Sequence, residues 1–147
     1  MDMIGQVKPP TSKGHKWILA ATDYFTKWVE AVPMRNVTAN DVVNFVKEHI
    51  IYCFGIPQTI TTDQGFVFLA EEFKKFIEEM GITLIQSSPY YAQANGQAKA
   101  SNKSLIQLIK RKIDEYPKQW HDRLVEALWA YRMSCHSATK CTPYQLV

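Results

Sequence analysis

Apolar residues along this chain fall into short blocks with two different periods. Lys16 to Thr22 and Lys27 to Pro33 are short, apolar and rich in β-branched or aromatic residues, with a tight connection at Asp23 to Thr26. Together with a strand-like Met1 to Val7 and a turn rich in Pro, Ser and Gly at Lys8 to Gly14, they predict three antiparallel strands. The period then changes. Val42, Val43, Phe45, Val46 and Ile50 recur at helical spacing. Thr38 can cap that helix, Asp41 stands where a capping-box acid belongs, and Gly55-Ile56-Pro57 stops it. Gln58 to Thr62 predicts a short strand with Asp63 at its end. Glu71 to Met80 predicts a helix with Phe73, Phe76, Ile77 and Met80 inward and Gly81 as its stop, and Ile82 to Gln86 the last strand.

Ser87 to Asn95 is polar and aromatic, carries Pro89, and reads as a surface loop. A long helix follows from about Ala94 to Glu115, ending before Pro117. A final helix from Lys118 to about Ser134 carries Trp120, Leu124, Ala127, Leu128 and Tyr131. Three antiparallel strands followed by two helix-linked ones predict an α/β fold, a five-stranded mixed sheet with helices on both faces.

Composition narrows the class. With 147 residues, 46% hydrophobic and 21% charged, the chain suits one domain with a real core. No apolar run approaches the roughly 18 residues of a membrane span. The N-terminus lacks the basic and apolar regions of a signal peptide. Cys53, Cys135 and Cys141 form no CxxC pair and point to a reducing compartment, nuclear or cytoplasmic. His121, Cys135, His136 and Cys141 match no common zinc spacing. A net charge of +3 is only weak evidence for a polyanionic partner.

Two acidic residues carry the candidate chemistry. Asp2 lies on the first predicted strand and Asp63 ends the fourth. Carboxylates far apart in sequence can converge when their strands are neighbours. A pair of aspartates is a usual way to hold Mg²⁺, which takes oxygen ligands and keeps several waters. Two such ions can activate an attacking oxygen and stabilise a leaving one in phosphoryl transfer. On these residues alone the favoured reading is the plainer one, with Asp63 a turn former beside Gln64-Gly65 and Asp2 a solvated end residue.

The surrounding segments add to this. Met1-Asp2-Met3-Ile4-Gly5, Ala21-Thr22-Asp23-Tyr24-Phe25-Thr26-Lys27-Trp28, Phe54-Gly55-Ile56-Pro57, Thr61-Thr62-Asp63-Gln64-Gly65 and Ser88-Pro89-Tyr90-Tyr91-Ala92-Gln93-Ala94-Asn95-Gly96-Gln97 occur in one order. Trp129-Ala130-Tyr131-Arg132 and Thr142-Pro143-Tyr144 follow. In these motifs the chain resembles the catalytic core of retroviral and retrotransposon integrases, most closely a gypsy-type long-terminal-repeat element such as those of plants. The resemblance implies an RNase H-like fold, Mg²⁺ or Mn²⁺ as cofactor, and joining of DNA 3′ ends to a target. It puts Asp2 and Asp63 in the places of the two catalytic, metal-binding aspartates.

The third place in that family is a Glu, and here it is Lys99, with 35 residues between it and Asp63. The charge there changes from −1 to +1. Beside the same aspartates each unit interaction is worth on the order of 1–4 kcal/mol at about 4 Å. A protonated Lys has no lone pair and cannot ligate a metal. The next acids down the helix, Asp114 and Glu115, begin about 22 Å away along its axis. The expectation is therefore a folded domain with impaired DNA joining. A single G-to-A change turns a Glu codon into a Lys codon, so decay of a silent copy is the simpler account of Lys99. The alternative function is a non-catalytic domain, derived from an integrase, that binds nucleic acid or protein.

DNA binding does not depend on that Glu. Lys99, Lys103 and Lys110 lie within about 40° of one another around the helix, a basic face suited to phosphates. Leu105, Leu108 and Ile109 lie away from that face and are expected to pack on the sheet. With the resemblance, Tyr90, Gln93 and Asn95 in the loop and Asn102 and Lys103 on the helix become candidate contacts to element ends and target DNA. Lys110, Arg111 and Lys112 are less specific. A homodimer is expected and a membrane partner is not. The upstream zinc-binding module and the downstream domain of such integrases are not in this sequence, so it reads as a core truncated at both ends.

Overall fold

The structure is a computed structural model. It describes residues 1–87, 96–135 and 139–147, and the side chains from residue 103 onward in the long helix. The chain divides into two compact units, residues 1–2 with 37–96, and residues 3–36 with 97–147.

The second unit is built on the three antiparallel strands. β1 (Asp2–Gly5), β2 (Trp17–Thr22) and β3 (Val29–Met34) hydrogen-bond in the order β1-β2-β3. β2 and β3 pair with Trp17 opposite Met34 and Thr22 opposite Val29. Their connection turns at Asp23, whose Oδ1 accepts from the Phe25 amide at 2.9 Å. Ile18 and Ala20 from β2, and Val29 and Ala31 from β3, join one core with Leu105 and Ile109 of the long helix α5 (Gly96–Glu115). The following helix, α6 (Trp120–Arg132), adds Trp120, Leu124, Ala127, Leu128 and Tyr131. Leu105 and Ile109, expected to pack on the sheet, therefore share a core with it, with Leu108 packed against the cluster.

α6 is latched to the sheet by polar groups as well. Arg132 donates from Nε and Nη2 to the Val29 carbonyl at 3.1 and 2.6 Å. Its Nη2 is 3.1 Å from Glu30, and its guanidinium lies over the Trp28 ring, 4.1 Å from the centroid. Burial lowers its pKa, and Glu30 opposes that shift. At the other end of α6, the turn after β1 is tied down by Trp120 Nε1 donating to Pro9 O at 3.1 Å and Ser12 N donating to Lys118 O at 2.8 Å.

The first unit holds the remaining strands. α1 (Ala39–Phe45) opens with the expected capping box: the Asp41 amide donates to Thr38 Oγ1 at 3.2 Å, and the Thr38 amide to Asp41 Oδ2 at 2.9 Å. The helix then loosens into a π-helical segment, Val46–Ile51, before a last turn, α2 (Tyr52–Phe54). β4 (Thr59–Thr62) pairs parallel with β5 (Thr83–Gln86), Thr59 opposite Thr83. Between them run a short α3 (Phe66–Leu69) and α4 (Glu71–Glu79). α4 buries Phe73, Phe76 and Ile77 and packs on α1 and β5. Gly81 follows at φ 71°, a left-handed position that glycine takes without a Cβ penalty.

Two expectations need correcting. Met80 is half-buried, because α4 ends one residue earlier than its apolar spacing suggested. The single five-stranded sheet is instead a three-stranded and a two-stranded sheet among the described residues. β1 is only four residues long, and just ahead of it Met1 N donates to Thr61 O at 2.6 Å.

Candidate functional site

The fourth strand ends where its chemistry begins. Ile60 and Thr62 point into the fold and are buried, so alternation turns Asp63 outward, and it is exposed. Three interactions fix the strand end. Thr62 is fully buried, and its hydroxyl donates to Asp63 O at 2.8 Å. Ser87, just past β5, donates to Thr62 O from its amide at 2.9 Å and its hydroxyl at 3.3 Å. Asp63 Oδ1 accepts from the Gly65 amide at 2.8 Å, and Gly65 O then accepts from Phe68 and Leu69 to start α3. The turn-forming reading of Asp63 is thus correct for one of its oxygens. Among the described residues Oδ2 has no hydrogen-bond partner.

Asp2 reaches the same place from the other end of the sequence. It is half-buried on β1, and the Met1 nitrogen beside it is bonded to Thr61, two residues before Asp63. That nitrogen is within electrostatic reach of both carboxylates. Its pKa is lowered to about 6, chiefly by burial, with Asp2 and then Asp63 opposing the shift. Two carboxylates separated by 60 residues of sequence therefore act on one point.

Among the described residues no group of three or more His, Cys, Asp or Glu side chains is placed to hold a metal ion. Two aspartates still suit magnesium, which takes one or two carboxylates and completes its shell with water and substrate phosphate.

The other candidates are placed as follows. Lys99 is the fourth residue of α5 and Asn102 lies one turn on, with their side chains outside the described residues. Tyr90, Gln93 and Asn95 also lie outside them. Lys103, Lys110 and Arg111 are exposed on α5. Lys112 is committed to structure, with Nζ 2.9 Å from Glu126 and 3.8 Å from Glu115. Sequence reasoning missed Ser87, which braces the end of β4. A lone serine after a strand carries no signal of that role.

The integrase core domain model matches residues 1–92, more than half of the chain. The chain belongs to the integrase core domain family. The matched span holds Asp2 and Asp63 and ends before Lys99. The curated relatives are retrotransposon polyproteins. The Tf2-3 and Tf2-4 transposon polyproteins of Schizosaccharomyces pombe (strain 972 / ATCC 24843) are each 27% identical over 139 residues, covering 94% of this chain and 10% of theirs. The chain thus spans about a tenth of the length of these relatives. Among solved structures, a chain of the simian T-cell lymphotropic virus intasome in complex with PP2A regulatory subunit B56 gamma is 23% identical with a TM-score of 0.77. That match covers 88% of this integrase core and 47% of the viral chain. The HTLV-2 integrase catalytic core domain, in complex with magnesium and in a trimeric form, is 21% identical with a TM-score of 0.71, covering 98% of this chain and 93% of that one. These likenesses carry the RNase H-like fold. The gypsy type and a plant source rest on the sequence motifs alone.

Proposed function

We propose that this integrase core descends from a polynucleotidyl transferase, keeps its DNA-binding surface, and is impaired in joining by Lys99. One observation carries the proposal: the Met1 N to Thr61 O bond sets Asp2 beside the strand end that bears Asp63. Asp2 and Asp63 are the residues that would hold Mg²⁺ or Mn²⁺, which would supply charge stabilisation at the phosphate being transferred. The magnesium in the HTLV-2 relative supports that cofactor for the family. The chain's own work is positional. Gly65 orients the Asp63 carboxylate, Ser87 braces the strand beneath it, and the exposed Lys103 face of α5 pairs with DNA phosphates.

Lys99 brings a cation to the helix where the family has a ligand. A protonated Lys has no lone pair to offer a metal, so it does not replace that ligand. Element ends and target DNA are the partners, with Tyr90, Gln93, Asn95, Asn102 and Lys103 as contacts. Self-association is proposed alongside, since one relative is described as trimeric and another comes from an intasome. The reading as a DNA-binding domain without catalysis is favoured at the level of this molecule by Lys99 alone.

The test is Mn²⁺ binding, followed by the loss of the free-ion electron paramagnetic resonance signal. Lys99→Glu is expected to bind Mn²⁺ at least tenfold more tightly than the unaltered chain, and Asp63→Asn in that background to abolish the gain. Equal binding by the unaltered chain and Lys99→Glu would sink the assignment.

A further inference from the structure

The long helix bears a second feature, away from the two aspartates. A half-open cavity of about 340 Å³ lies between the end of β1 and the second half of α5. The apolar part of its lining is mostly isoleucine, Ile4 on β1, Ile18 on β2 and Ile106, Ile109 and Ile113 on α5. Lys8, Lys110 and Asp114 also line it, and all three are exposed. Among the described residues none of these three forms an ion pair, unlike Lys112 on the same helix. Two cations and one carboxylate therefore stand uncompensated around an apolar slot.

The chemistry of the lining selects its ligand. A volume near 340 Å³ is at the small end of ligand sites. A free phosphate would use the lysines and leave the isoleucine walls idle. A lipid chain would use the walls and meet Asp114 unfavourably. A nucleotide uses every part: apolar side chains sandwich the base, the carboxylate accepts from an exocyclic amine, and the lysines meet the phosphate. Lys103 lies seven residues before Lys110, about 10 Å along the axis and within about 20° around it. A strand whose phosphates follow that basic face passes over the cavity.

We infer that the cavity holds one unpaired base of the DNA strand that α5 follows, with Lys8 and Lys110 on its phosphate and Asp114 on its amine. This rests on the DNA-binding reading above and adds a base-binding subsite to it.

The experiment compares three labelled duplexes by fluorescence anisotropy with the full chain in EDTA. One is blunt, one ends in an unpaired deoxyadenosine, and one ends in an abasic sugar phosphate. The deoxyadenosine duplex is expected to bind about tenfold more tightly than the abasic one. Ile113→Phe fills the slot and brings that ratio close to one, with blunt-duplex affinity unchanged. Asp114→Ala, a change at an exposed position that spares the core, lowers the same ratio while abasic binding holds or tightens. Lys110→Ala weakens both tailed duplexes and reduces the salt slope by about one. Equal binding of the deoxyadenosine and abasic duplexes, with the blunt duplex still bound, overturns the base pocket and leaves the DNA reading intact. A ratio unmoved by Asp114→Ala overturns it too. Failure to bind any duplex removes the DNA reading and the pocket with it.

Discussion

The Gly65 amide donates to Asp63 Oδ1 at 2.8 Å, and a Cβ on Gly65 would stand 3.0 Å from that same oxygen. The φ of −57° at this glycine is open to any residue, so the constraint on a side chain here is one of space, and the Asp63 carboxylate would have to yield by a few tenths of an ångström. In the Lys99→Glu background, Gly65→Ala is expected to push the carboxylate off its turn and weaken Mn²⁺ binding several-fold. Asp63 is exposed, so the melting temperature should fall by no more than about 3 °C, the equivalent of roughly 1 kcal/mol. Calorimetric titration with Mn²⁺ checks the first effect and thermal unfolding the second. A large loss of stability with affinity unchanged would contradict this role for Gly65.

Arg132 ties α6 to β3 through Val29 O, Glu30 and the Trp28 ring. Its side chain is 21% exposed, so these contacts are sheltered from water. Arg132→Ala should cost about 2–3 kcal/mol, from charge-assisted hydrogen bonds and the ring contact together. Arg132→Lys keeps the charge but not the two-pronged geometry, and should lose about half as much. Urea unfolding with the slope held in common gives both values. Equal stability of wild type and Arg132→Lys would show that the fork is idle.

His15 gives the second unit a pH dependence. Its ring lies 5.0 Å from that of His121, centroid to centroid, and Nδ1 is 3.0 Å from Thr11 Oγ1. Burial lowers its pKa first, and His121, Arg35 and Lys13 add to the shift, with Asp122 opposing. The His121 side chain is 6% exposed, and among the described residues neither ring nitrogen has a hydrogen-bond partner. Asp122 Oδ1 is 3.3 Å from its Nε2 but off the hydrogen-bond direction, so that pair counts for little here. A base whose folded pKa is depressed takes up its proton more readily when unfolded. Stability from neutral His15 is therefore full above about pH 6.5 and declines as pH falls toward the folded value. Melting temperatures across pH 5–8 should fall on the acid side, and His15→Gln should flatten that fall. An unchanged profile in His15→Gln would place the sensitivity elsewhere.

The sequence was most readable where a side chain acts on its own neighbours. Thr38 and Asp41 form a cap within one turn, so the start of α1 follows from four residues. Gly81 ends α4 by its own backbone freedom. The buried stripes of α5 and α6 repeat over several turns, and the pattern accumulates with length. Four-residue α3 is apolar throughout, Phe66-Val67-Phe68-Leu69, and offers no period to count. α7 (Pro143–Leu146) is as short, although its box between Thr142 and Gln145 was there to read. The π-helical stretch Val46–Ile51 keeps its apolar residues near helical spacing, so the change in hydrogen bonding leaves no mark in the pattern. The Arg132 latch joins residues 103 apart, and nothing local foretells it.

The candidate site divides the same way. Asp63 was legible from the strand before it and the turn after it. Its approach to Asp2 was legible only through the family motifs, since local pattern cannot say which strands are neighbours. The reading of Lys99 as a cation in the place of a Glu rests on the sequence motifs alone, since the family match ends at residue 92.

The central claim is that Lys99 is the lesion in an otherwise intact joining core. The most direct measurement is a disintegration assay in Mn²⁺ on a branched DNA substrate, run side by side on the unaltered chain and Lys99→Glu. The account predicts no joined product above background from the unaltered chain and a clear Mn²⁺-dependent product from Lys99→Glu, lost again with Asp63→Asn. Joining by the unaltered chain at a rate comparable to Lys99→Glu would contradict it.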